Sequence, residues 1–65
     1  MDYRARVWRT AADYVDRYGD DAVEFVRRIF VMAHRDGDGA GARRARDVAI
    51  AADALLMARS PGADA

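Results

Sequence analysis

Cysteine is absent from this chain, which excludes disulfides and thiolate metal sites. The absence fits a reducing compartment, and no secretory leader follows Met1-Asp2-Tyr3-Arg4, so a cytoplasmic location is expected. No apolar run approaches the roughly 20 residues needed to span a bilayer, and no membrane association is expected. Lysine, asparagine and glutamine are also missing, and the single proline, Pro61, stands with Gly62 near the C-terminus. Nucleophiles and bases are equally scarce: one Ser (Ser60), one Thr (Thr10) and one His (His34). Ser60 lies in the tail, so no Ser-His-Asp arrangement is expected, and a chain this small rarely encloses the cleft that a carboxylate pair needs. The expectation is a protein without enzymatic activity.

What is present points to one small helical domain. At 65 residues, a single core buries only about 60% of the surface that the unfolded chain exposes. Domains of this size commonly rely on disulfides, a metal or a partner subunit. All 11 basic residues are Arg and Ala occurs 15 times, a bias typical of GC-rich bacterial coding sequence. Because every basic position is Arg, the choice of Arg at one site carries little meaning. Net charge is zero, so the chain as a whole does not attract nucleic acid or anionic membranes.

The apolar spacing is helical throughout, with no β-type alternation, internal repeat or low-complexity segment. Tyr3, Val7, Ala11, Tyr14 and Tyr18 recur at steps of four and three, and Trp8, Ala12 and Val15 widen the stripe. Gly19 suits the left-handed residue that ends a helix. Asp20 or Asp21 can cap the next helix, and Asp21 with Glu24 has capping-box spacing. Ala22, Val26, Ile29, Phe30 and Ala33 form the second stripe, broadened by Phe25 and Met32. From Val48 to Ala58 only Asp53 is charged, so the third helix is expected to be covered on more than one side. Helices are therefore expected at about 3–18, 21–35 and 40–59, in an all-α three-helix bundle. The domain is expected to span residues 1–60, with a frayed tail at 61–65.

Asp36-Gly37-Asp38-Gly39-Ala40-Gly41 admits two readings. An EF-hand loop carries oxygen ligands at positions 1, 3, 5, 7, 9 and 12 and Gly at 6. Counting from Asp36, this chain offers Asp36, Asp38 and Asp47 at positions 1, 3 and 12, with Gly41 at 6, and so resembles the EF-hand family over that stretch. It departs from the family at Ala40, which has no side-chain oxygen, at Arg43, and at Asp47, where Glu is usual. The simpler reading needs no ion: Gly37 ends one helix and Asp38 caps the next. No cofactor is expected; Asp36, Asp38 and Asp47 are the ligands if a weak calcium site exists.

Gly19-Asp20-Asp21-Ala22, followed by Gly37-Asp38-Gly39-Ala40-Gly41, also resembles an uncharacterised family of short helical proteins from alphaproteobacteria, chiefly sphingomonads. The likeness covers about residues 8 to 56, and departs from the family at Ala45, where a Trp is expected. It implies a helical fold in which these turns bracket the middle helix, and it brings no known activity.

Charge is segregated along the chain. An up-down-up path gathers Arg4, Arg6, Arg35, Arg43, Arg44 and Arg46, with His34, at one end. Asp13, Asp16, Asp20, Asp21 and Glu24 gather at the other. The Arg pole is a candidate site for an anionic partner, and the apolar side of the third helix (Ile50, Ala54, Met57 and Ala58) is a candidate self-association or protein-partner surface. A small protein-interaction module is the favoured function. A nucleic-acid-binding regulator using the Arg pole is the alternative, and a weak calcium-binding helix-loop-helix the third. Trp8, Tyr3, Tyr14 and Tyr18 are expected in the core and at its rim. Asp53 is expected to face solvent or to pair with Arg9 or Arg59.

Overall fold

The computed structural model describes residues 2–59 and is all-helical, with no strand among them. Helix α1 (Tyr3–Tyr18) leads through a 3-10 turn (Gly19–Asp21) into α2 (Ala22–Arg35), and α3 (Gly39–Ala58) follows. Pro61 and the frayed tail expected at 61–65 lie outside the described residues.

Local chemistry sets the helix ends. Asp2 caps α1, its Oδ1 accepting from the Ala5 N–H at 2.7 Å. Gly19 ends α1 at φ 57, a conformation that glycine alone adopts without strain. The expected cap at Asp20 or Asp21 is not made. Asp21 already has helical backbone angles (φ −87, ψ −1), so its carboxylate is not presented to the amides behind it. Glu24 turns away to Arg28 at 3.9 Å instead of closing a capping box.

The α2–α3 connection is tighter. Asp38 N–H donates to the Ala33 carbonyl (2.9 Å) and Gly37 N–H to the His34 carbonyl (3.1 Å), the two bonds that close a helix around a left-handed glycine. Gly37 is that glycine, at φ 76. Asp38 then reverses role and caps α3, its Oδ1 accepting from Gly41 N–H at 2.9 Å. The same residue therefore closes one helix and opens the next.

Helix α3 is the shared element, packing against both neighbours. Tyr3 at the start of α1 reaches Asp47, and Asp16 near the end of α1 reaches Arg59, so α1 runs parallel to α3. The short 36–38 connection turns the chain back on itself, so α2 packs antiparallel to α3, and Val23 and Phe30 line one groove with Asp53 and Arg46. Helices α1 and α2 touch mainly near the turn, where Phe25 stacks on Tyr18 at 4.5 Å and meets Tyr14 at 5.6 Å. The result is a flattened molecule of 44 × 26 × 18 Å. Its radius of gyration, 12.4 Å, exceeds the ~11 Å of a compact domain this long.

Only valine and alanine are fully buried among the apolar residues: Val7, Ala11 and Val15 on α1, Ala22 and Val26 on α2, and Ala42, Ala45, Val48, Ala51 and Ala52 on α3. Tyr14, Val23, Phe30, Leu55 and Leu56 pack partly against them. Several residues of the expected core are instead outside. Tyr3, Trp8, Tyr18, Phe25, Ile29 and Met32 are exposed, and so is Ala12. The cause is geometric: α1 and α2 each rest chiefly on α3, so each buries a narrower strip than its apolar stripe offers.

The two glycines that open α3 give a paired test. A methyl group at Gly39 meets nothing within 4 Å, whereas one at Gly41 runs into the capping carboxylate of Asp38. Gly39→Ala is expected to raise stability by roughly 0.4–1 kcal/mol by restricting the unfolded chain. Gly41→Ala is expected to forfeit that gain, because moving the carboxylate breaks a cap of about 1 kcal/mol. Thermal unfolding followed by circular dichroism measures both; equal shifts in Tm would contradict the capping geometry.

Candidate interaction surface

The outer side of α3 lies between two grooves. One, of about 350 Å³, runs between α1 and α3, with the buried Val7 and Ala51 flanked by Tyr3, Arg4, Trp8, Asp47, Ile50 and Ala54. The other lies between α2 and α3 and is lined by Val23, Arg27, Phe30, Arg46, Ala49, Ile50 and Asp53. Ile50 belongs to both, so it forms the ridge that separates them. It is 62% exposed and Met57, two turns further on, is 71% exposed. Ala54 and Ala58 are exposed as well. Ile50, Ala54 and Met57 lie on one side of α3 by their spacing, whereas Ala58 is turned toward the α1 side. The first groove has the volume of a small-ligand site. Its charged groups do not converge on that space, because the Asp47 carboxylate is already held by Tyr3 and Arg46. Such a shape receives an apolar side chain better than a polar small molecule.

Tyr3 and Asp47 form the contact that fixes the start of α1 on α3. The Tyr3 hydroxyl donates to Asp47 Oδ2 at 2.7 Å, and Arg46 approaches Oδ1 at 3.6 Å. The bond to Asp47 raises the Tyr3 pKa above its ordinary 10.0; desolvation and the Asp47 charge add to this, while Arg44 and Arg43 oppose it. No spacing rule links residues 44 positions apart, so this contact was not readable from the sequence.

Arg43 and Arg44 both act on Tyr3 electrostatically, and the Tyr3–Asp47 bond sets the start of α1 level with a point well along α3. The short 36–38 connection brings Arg35 to the start of α3. Arg4, Arg6, Arg35, Arg43 and Arg44 are exposed, and none makes an ion pair among the described residues. Arg43 and Arg46, three residues apart, share the outer side of α3. Arg44 instead lines a different groove with Thr10 and Tyr14. The three arginines that open α3 therefore do not form one reading edge, and the exposed side beyond them presents Asp47, Ile50, Asp53 and Met57.

Asp36, Asp38 and Asp47 are not brought together as a calcium loop. Helix α3 begins at Gly39, so loop positions 4 to 12 are helical, with Asp47 well along α3 and bonded to Tyr3. Asp38 is committed to its cap. No group of three or more His, Cys, Asp or Glu side chains with metal-binding geometry occurs among the described residues. His34 is exposed and stacks on Phe30 at 6.0 Å. Asp53 is exposed, as expected, but Arg59 pairs with Asp16 at 4.0 Å and leaves Asp53 without a partner among the described residues. No described helix is long and apolar enough to cross a membrane.

No family model matches the chain, and neither the curated proteins nor the solved structures supply a match.

The Tyr3–Asp47 bond carries a pH dependence of known sign. Because the folded-state pKa is raised, its contribution is fully present below about pH 10 and fades as pH rises through the raised value. Tyr3→Phe is expected to leave Tm flat over this alkaline range, apart from effects shared with the parent protein. Melting curves between about pH 8 and about pH 11 for both proteins check this; parallel curves would show that the bond contributes nothing.

Proposed function

We propose that the chain is a small, non-enzymatic helical interaction module, an open three-helix bundle whose working surface is the outer side of α3. One observation carries this reading: the buried core is made of Val and Ala, while Ile50, Met57, Trp8 and Tyr3 lie outside it. Fully burying a valine contributes about 1.5–3 kcal/mol and an alanine methyl about 0.8 kcal/mol, so such a core leaves little margin over chain entropy. The bulky residues that would raise that margin surround one side of α3 and become buried when a protein docks there. The Arg pole steers an acidic partner surface toward this side.

Nucleic acid is the second reading, and the unpaired Arg4, Arg6, Arg35, Arg43 and Arg44 favour it. Zero net charge and the outward Asp47 and Asp53 weigh against it. Mixed-sequence duplex DNA at low salt is expected to show no mobility shift; a shift that vanishes with added salt would favour the Arg pole as the functional site.

For the main reading, tagged protein expressed in its native host is expected to retain a near-stoichiometric protein, either another copy or a different chain. Ile50→Asp combined with Met57→Asp is expected to retain none while its helical circular dichroism is unchanged, since both positions are largely exposed. Equal retention by both proteins, or by neither, would overturn the reading.

A further inference from the structure

We infer that the occupant of this surface is a second copy of the same chain, paired through antiparallel α3 helices with Ile50 at the two-fold axis. The inference rests on the interaction-module reading and identifies the partner. Its support is the placement of charge about Ile50. Arg46 and Asp53 line the same groove, on the α2 side of the ridge, one before Ile50 and one after it. Arg46 also approaches Asp47 at 3.6 Å, but its side chain is largely exposed and can face a second carboxylate. A two-fold axis perpendicular to α3 lays each side of the ridge against the same side of the second copy, with the chain direction reversed. Arg46 then stands opposite the second copy's Asp53, and Asp53 opposite the second copy's Arg46, giving two symmetric ion pairs.

The other side of the ridge obeys the same symmetry. The Tyr3–Asp47 bond sets Tyr3 level with position 47, so in the parallel α1 Arg4 lies just before the level of Ile50 and Trp8 just after it. Both line the α1 groove. Reversal places Arg4 opposite the second copy's Trp8, a guanidinium facing an exposed indole. Ile50 meets its own counterpart on the axis. Parallel pairing is less complementary: it crosses the two sides, so that Asp53 faces the second copy's Ala54 and stays unpaired. The like-charge approach in the antiparallel arrangement is Arg27 against its counterpart, and its long side chain turns toward Asp53 or solvent.

An isologous pair also needs no second gene product to cover the exposed apolar residues.

Charge reversal tests the inference. Sedimentation velocity at micromolar to hundred-micromolar concentration is expected to show a dimer for the parent chain. Arg46→Asp and Asp53→Arg are each expected to weaken self-association at least tenfold, because each sets like charges opposite one another twice. The double variant Arg46→Asp/Asp53→Arg is expected to dimerise again, and an equimolar mixture of the two single variants to form a heterodimer. All these positions are exposed, so unchanged circular dichroism separates loss of pairing from loss of folding. A dimer insensitive to the reversals, or one not restored in the double variant or the mixture, would overturn the antiparallel arrangement. A monomeric parent chain that still retains a different protein through Ile50 and Met57 would overturn this inference alone. A monomer that retains nothing would overturn the interaction-module reading with it.

Discussion

The alanine side of α3 is the constraint on which the rest of the structure depends. Ala42, Ala45, Ala51 and Ala52 are buried against α1 and α2, with Val48 among them. Small residues let helix axes approach at the short end of the usual 8–10 Å range, which favours close contact over a deep core. Each of the flanking helices answers with small residues of its own, Val7, Ala11 and Val15 on one side and Ala22 and Val26 on the other. Trp8, Phe25, Ile29 and Met32 remain exposed beside these contacts.

Direction within this layer comes from the helix ends. Gly37 in the left-handed region and Asp38 as the following cap turn the chain within residues 36–38. The turn at Gly19–Asp21 is looser, with no side-chain cap, and aromatic stacking of Tyr14 and Tyr18 with Phe25 supports it instead. The Tyr3–Asp47 bond then closes the free end of α1 onto α3. Backbone turns and this one side-chain bond thus fix how the three helices lie along one another.

The helices and their punctuation were legible in the sequence because they rest on local chemistry. Periods of three and four, Gly19, Gly37 and Asp38 fixed elements that match to within a residue or two. The Asp21 cap failed for a local reason too: the preceding 3-10 turn had already placed Asp21 in a helical conformation, a detail that residue spacing does not encode. Burial was less legible. An apolar stripe shows that a helix has something to cover, but a residue facing a neighbouring helix and one facing a separate molecule carry the same signal. Ile50, Met57 and Ala54 were recognisable as a surface because α3 is apolar on too many sides. Trp8 and Ile29 were not, since each belongs to a stripe that looks fully spent on the core. The Tyr3–Asp47 contact joins distant positions and has no periodic trace at all.

A thin core and a bulky exterior bind folding to association. A domain that holds its helices by alanine contacts keeps a small stability margin, and any species that binds only the folded form adds to it by mass action. In the proposed pair, apolar area at Ile50 and Met57, both exposed, supplies affinity without a preferred direction. Charge supplies the direction in that pair: Arg46 and Asp53 line one groove on the same side of that ridge, one before Ile50 and one after it. With net charge zero, no global field brings copies together or keeps them apart. Orientation must then be set by the local pattern at contact range. An unpaired Asp53 beside an apolar ridge is solvated when the face is free and needs a cation when the face is covered. In the pair proposed above, that cation is Arg46 of the second copy.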